Sequence, residues 1–171
     1  MRTLIITIFV ALVSSGAYSQ VGSSARVDME TQCLGVEEDG TQTLRAWGFG
    51  KKKKDAVEQA MKNAVRDVLF KGIRSGMEGC DMRPMITEVN ARERYAEYFN
   101  KFFADGGKYK NYVSLKDENT KKSRESVKSS LGTRWSITVR ILCPKLRERL
   151  VKDKILPKVK QKQNKRNDDE D

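Results

Sequence analysis

Apolar and polar residues alternate most strictly between Thr133 and Cys143. Thr133, Trp135, Ile137, Val139, Ile141 and Cys143 fall on one face, and Arg134, Ser136, Thr138, Arg140 and Leu142 on the other. A period of two with one strongly apolar face predicts a half-buried strand. A β-hairpin is predicted over residues 29–50. Met29 to Val36 is one arm, Thr41 to Phe49 the other, and Glu37-Glu38-Asp39-Gly40 joins them. The Asp-Gly pair accepts the positive φ of a tight turn. In the second arm Arg45, Trp47 and Phe49 share one face while Leu44 and Ala46 share the other. That pattern suits a strand covered on most of both faces.

Between residues 55 and 70 the period becomes helical. Ala56, Ala60 and Ala64 recur every fourth residue, with Val57, Met61, Val65, Val68 and Leu69 beside them. This broad stripe predicts a helix packed on a sheet and capped near Gly72 or Gly76. Residues 74–89 are irregular. Asn90-Ala91-Arg92-Glu93 resembles a capping box, opening a helix to about Ala104 that carries Tyr95, Tyr98, Phe99, Phe102 and Phe103. Lys108 to Leu115 reads as a strand and residues 116–131 as a polar loop. Pro144 suits the start of a last, short helix with Leu146, Leu150, Val151 and Ile155 on one stripe. The order predicts an α+β fold: a small antiparallel sheet of about four strands, two main helices on one face and a short C-terminal helix.

The N-terminus reads as an address. Arg2 precedes the apolar run Leu4 to Val13, which is too short to span a bilayer. Ala17-Tyr18-Ser19 offers small residues for cleavage, with Gln20 the expected mature N-terminus. The expected organisation is a signal peptide over 1–19, a flexible segment over 20–28, one domain over 29–156 and a disordered charged tail over 157–171. The expected location is exported, in the periplasm or associated with the outer membrane. No cysteine stands at the cleavage point, since the first is Cys33, so lipid attachment there is not indicated.

Composition narrows the chemistry. The chain of 171 residues is 38% hydrophobic and 33% charged, with a formal net charge of +11. Such a protein is drawn to polyanions. For an exported one these are an acidic protein or an anionic envelope component such as a lipid head group or glycan. Secreted nucleic-acid binding is the alternative. With no histidine, Ser-His-Asp and Cys-His machinery and histidine metal ligands are excluded. Asp81, Glu88, Glu93 and Glu97 accompany no nucleophile or metal motif, and Ser129-Ser130 lack a histidine base. Neither catalysis nor a cofactor is expected.

Gly48-x-Gly50 before Lys51, Lys52, Lys53 and Lys54 has the outline of a phosphate cradle at a helix start. It is neither a Walker A nor a complete dinucleotide fingerprint. The lysines make either a solvated helix entry or an anion-contact patch, to which Lys121, Lys122, Arg124 and the tail would add. Cys33, Cys80 and Cys143 lack metal or redox spacing, and an oxidising compartment predicts one disulfide among them. Cys33–Cys143 and Cys80–Cys143 are both open. Cys80–Cys143 is favoured because a loop meets disulfide geometry more easily.

Thr43-Leu44-Arg45-Ala46-Trp47-Gly48-Phe49-Gly50, followed by Asp55-Ala56 and alanines at 60 and 64, resembles a family of small exported bacterial envelope proteins. The family includes conserved envelope lipoproteins and the N-terminal module of a flagellar assembly protein. The resemblance implies a compact α+β module with one helix crossing a small antiparallel sheet. It also implies a structural or assembly role at the envelope without catalysis.

Overall fold

The computed structural model describes residues 29–115 and 125–158. The expected leader, the segment 20–28, Lys121, Lys122, Arg124 and most of the tail lie outside the described residues. β1 (Gln32–Val36) and β2 (Gln42–Gly50) form the expected hairpin. Gly40 takes φ +81°, and the Asp39 carboxylate accepts the backbone N–H of Thr41 at 2.8 Å, which fixes the turn. β2 then pairs antiparallel with β6 (Gly132–Ile141) along its whole length, from Gln42 opposite Ile141 to Gly50 opposite Thr133.

α1 (Lys53–Phe70) lies on that pair and buries Ala56, Ala60, Ala64, Val65, Val68 and Leu69. The alanine row allows a very close approach. A Cβ on Gly48 would stand 2.0 Å from the Ala56 carbonyl oxygen and 2.4 Å from the Ala60 nitrogen. Leu44 and Ala46 share this face of β2, and their partners Val139 and Ile137 extend it across β6. All four are fully buried. α1 ends at a left-handed Gly72, whose N–H donates to the Asp67 carbonyl at 2.8 Å.

The sheet is larger than the alternation implies, and it is mixed. With β3 (Ser75–Gly76), β4 (Val113–Ser114) and β5 (Ser126–Ser129) included, its order is β3-β1-β2-β6-β4, with β5 also on β6. β3 (Ser75–Gly76) runs parallel to β1, so the expectation of about four antiparallel strands is corrected to six strands with one parallel pairing. Gly76 permits this contact, because a Cβ there would lie 2.3 Å from the Cys33 carbonyl oxygen. β5 (Ser126–Ser129) occupies part of the expected polar loop. All four of its residues are exposed, so no apolar period marks it and the ladder to β6 defines it.

The same parallel pairing decides the disulfide. It brings the 71–80 segment alongside β1 and joins Cys80 to Cys33, with Cα atoms 6.0 Å apart. The favoured Cys80–Cys143 pair is therefore corrected. Cys143 is a buried free thiol at the start of α4 (Cys143–Lys152). A covalent Cys33–Cys80 link fits an oxidising compartment.

The expected helix over 90–104 is broken. Asn90 sits at φ +61° with no side-chain cap, so the capping box does not form. Asparagine tolerates this left-handed conformation through its short polar side chain. α2 (Ala91–Arg94) and α3 (Ala96–Phe102) meet at Tyr95, which has left helical geometry. Of the main helices only α1 lies broadly on the sheet; α3 packs beside it, with Phe99 edge-on to Phe70 at 4.9 Å. The expected strand over 108–115 is instead a 3-10 turn (Lys108–Tyr112) followed by the short β4 (Val113–Ser114). Tyr109 and Tyr112 are three apart, a spacing that puts both on one 3-10 face and would put them on opposite faces of a strand. Tyr109 is fully buried and donates its hydroxyl to Glu58 Oε1 at 2.9 Å.

Candidate anion-contact surface

Gly48 and Gly50 are not a phosphate cradle. The space beside both is filled by the α1 backbone, with the Ala56 nitrogen 2.6 Å from a Cβ built on Gly50. These glycines serve helix-on-strand docking.

The four lysines are nevertheless presented together. Lys51 and Lys52 form the bend after β2, and Lys53 and Lys54 begin α1. All four are exposed. No carboxylate of the described residues lies within 4.0 Å of their ammonium groups. Lys53 Nζ stands 4.9 Å from the centre of the Trp135 ring, a cation–π contact that turns this lysine toward β6. Lys52 occupies the N-cap position without a side-chain cap, and Asp55 is the acid of the first turn. Cations here oppose the helix dipole at about 0.3–1 kcal/mol each. Helix stability alone does not favour this composition.

The β5–β6 hairpin ends beside the lysines, since Gly50 pairs with Thr133 and Thr133 with Lys128. Its two-residue turn carries Leu131, which is 77% exposed. On the sheet face away from α1, Phe49, Arg134 and Val127 form one cross-strand row. Phe49 is 43% and Val127 36% exposed, so three apolar side chains reach solvent at the lysine-rich end. Gly132 leaves room for Phe49, since a Cβ there would lie 2.8 Å from the ring. Lys128, Arg134, Val127 and Leu131 escape sequence reading, because their nearness to Lys51–Lys54 depends on the unmarked strand β5.

The other sequence candidates are absorbed by the scaffold. Glu88 pairs with Arg94, Glu97 with Lys101, and Asp81 accepts a hydrogen bond from Gln42 at 3.2 Å. Phe99 and Phe102 are buried, and the half-buried Tyr98 donates to Asp153 at 2.8 Å, so these three side chains are engaged in packing. Ser129 donates its hydroxyl to the Gly132 carbonyl inside the hairpin turn. Among the described residues no cluster of three or more Cys, Asp or Glu is placed to hold a metal ion. No helix among them is long and apolar enough to cross a membrane. No protein-family model, curated protein or solved structure matches the chain. The physical character of the surface is therefore the guide to function.

Proposed function

We propose that this protein is a non-enzymatic, exported envelope module whose lysine-rich end contacts an anionic surface, specifically an anionic bilayer face. One observation carries the proposal: Lys51–Lys54, with no carboxylate of the described residues within 4.0 Å, lie at the same end of the sheet as exposed Leu131, Val127 and Phe49. Lysines near an anionic membrane contribute about 1 kcal/mol each, so four give roughly three orders of magnitude in affinity. The apolar residues favour a bilayer over an acidic protein, because their side chains enter the acyl boundary while the cations stay at the head groups. The leader pattern and the Cys33–Cys80 disulfide support export.

Co-sedimentation with vesicles tests this. Phosphatidylglycerol vesicles should retain the protein at low salt and release it as salt rises, and phosphatidylcholine vesicles should not retain it. Replacing Lys51–Lys54 by glutamine should abolish retention, and Leu131→Ser should weaken it. Unchanged retention in the glutamine variant would contradict the proposal. Equal, salt-labile binding of the wild type to a single-stranded oligonucleotide would reduce it to general charge attraction.

A further inference from the structure

Arg66 on α1 and Arg92 on α2 line one open cleft of about 510 Å³. Its floor is aromatic: Phe70 comes from α1, Phe99 from α3 and Phe103 from the C-cap of α3. Each arginine lies near a ring, Arg66 Cζ 5.0 Å from the Phe103 centre and Arg92 Cζ 5.5 Å from the Phe70 centre. Neither has a carboxylate within 4.0 Å among the described residues, although Glu93 also borders the cleft. By contrast, Arg94, Arg45 and Arg149 are paired with Glu88, Glu125 and Asp153. Arg66 is also held below its ordinary pKa, first by burial and then by repulsion from Arg92. An oxyanion in the cleft would relieve that repulsion. The aromatic contacts limit the motion of both guanidinium groups, so little side-chain freedom is lost when they donate to an anion. Asn100 adds a neutral amide at the rim.

We propose that this cleft binds a small organic oxyanion, a carboxylate or phosphate carried on a flat apolar group. The anion is recognised by Arg66 and Arg92 and its carrier by the phenylalanine floor. Planar guanidinium forks match both oxyanions, and the rings reward an attached ring with stacking. The cleft is distinct from the lysine-rich end: Arg66 is about 18 Å along α1 from Lys54 at 1.5 Å per residue. It therefore stands or falls independently of membrane contact.

The probes are phenyl phosphate, benzoate and inorganic phosphate, titrated into the chain from Gln20 onward and followed by NMR at backbone amide, arginine Nε–Hε and aromatic signals. Phenyl phosphate or benzoate should give saturable shifts at Arg66, Arg92 and Phe99, with inorganic phosphate about tenfold weaker. Which of the two ring-bearing probes binds more tightly identifies the anion. Arg66→Gln and Arg92→Gln should each lower affinity about tenfold or more. Arg94→Gln, off the cleft and already paired, should leave it unchanged. Because Arg92 is exposed, its variant tests binding with the fold intact, as thermal unfolding would verify. Shifts that never saturate, shifts confined to Lys51–Lys54, or undiminished affinity in the Arg92 variant would overturn the proposal.

Discussion

Gly48→Ala is the smallest change that tests how α1 is seated. The added Cβ would stand 2.0 Å from the Ala56 carbonyl oxygen, whereas ordinary van der Waals contact starts at 3.4 Å, so the surfaces must part by about 1.4 Å. Gaps of 0.5–1 Å already forfeit about a quarter to a half of each contact. The residues losing those contacts are fully buried, including Ala56, Ala60, Leu44 and Ala46. Overpacking ordinarily costs about 1–3 kcal/mol, and here the obstruction is helix backbone, which has no alternative rotamer. A loss of about 3 kcal/mol or more is expected from urea denaturation of the disulfide-intact protein, with faster hydrogen exchange in α1. Ala60→Gly should not rescue it, because the clash is with Ala60 N and Cα rather than its methyl group. A Gly48→Ala variant within about 0.5 kcal/mol of wild type would refute helix docking as the role of this glycine.

Three further expectations concern single groups. Closing a 47-residue separation, the Cys33–Cys80 bond contributes about 4 kcal/mol, so replacing both cysteines by serine should lower stability by that order; a loss under about 1 kcal/mol would contradict it. Cys143 is 6% exposed and its thiol is pushed up to about 11, chiefly by burial. Alkylation at mildly alkaline pH should spare it until the protein is unfolded, and rapid native labelling would contradict its burial. The Glu58 carboxyl is held below its ordinary value of 4.5 by the Lys110 ammonium first and the Tyr109 hydroxyl second. A depressed folded pKa gives stability that is full above the ordinary value and lost as pH falls through the folded value. The advantage of wild type over Glu58→Gln should thus hold at neutral pH and shrink below about pH 4.5. A pH-independent gap in denaturation midpoints would count against this linkage.

Elements that bury one face were legible in the sequence. β6 carries a long alternation, α1 a four-residue alanine row, and the first hairpin an Asp-Gly turn. β3 and β5 were not, because two residues of β3 and four exposed residues of β5 leave no apolar period. Missing β3 also misplaced the disulfide, since this strand carries Cys80 to Cys33. The broken helix at Tyr95 was hidden by aromatics at helical spacing, whose packing on Phe70 and Tyr112 survives the break. At the candidate surface, the lysine run was readable as charge. Its apolar company was not, because Leu131 reaches it only through the β5–β6 turn. Arg66 lies next to the buried Val65 on α1, and no local signal pairs it with Arg92.

The most direct test of the central claim is to map the contact surface residue by residue. Backbone NMR spectra of the chain from Gln20 onward would be recorded with anionic and with neutral lipid nanodiscs. With anionic discs, broadening should concentrate at Lys51–Lys54, Lys128, Leu131 and Arg134, and fade as salt is raised. No broadening with either disc, or broadening centred on α4, would contradict a lysine-rich membrane contact.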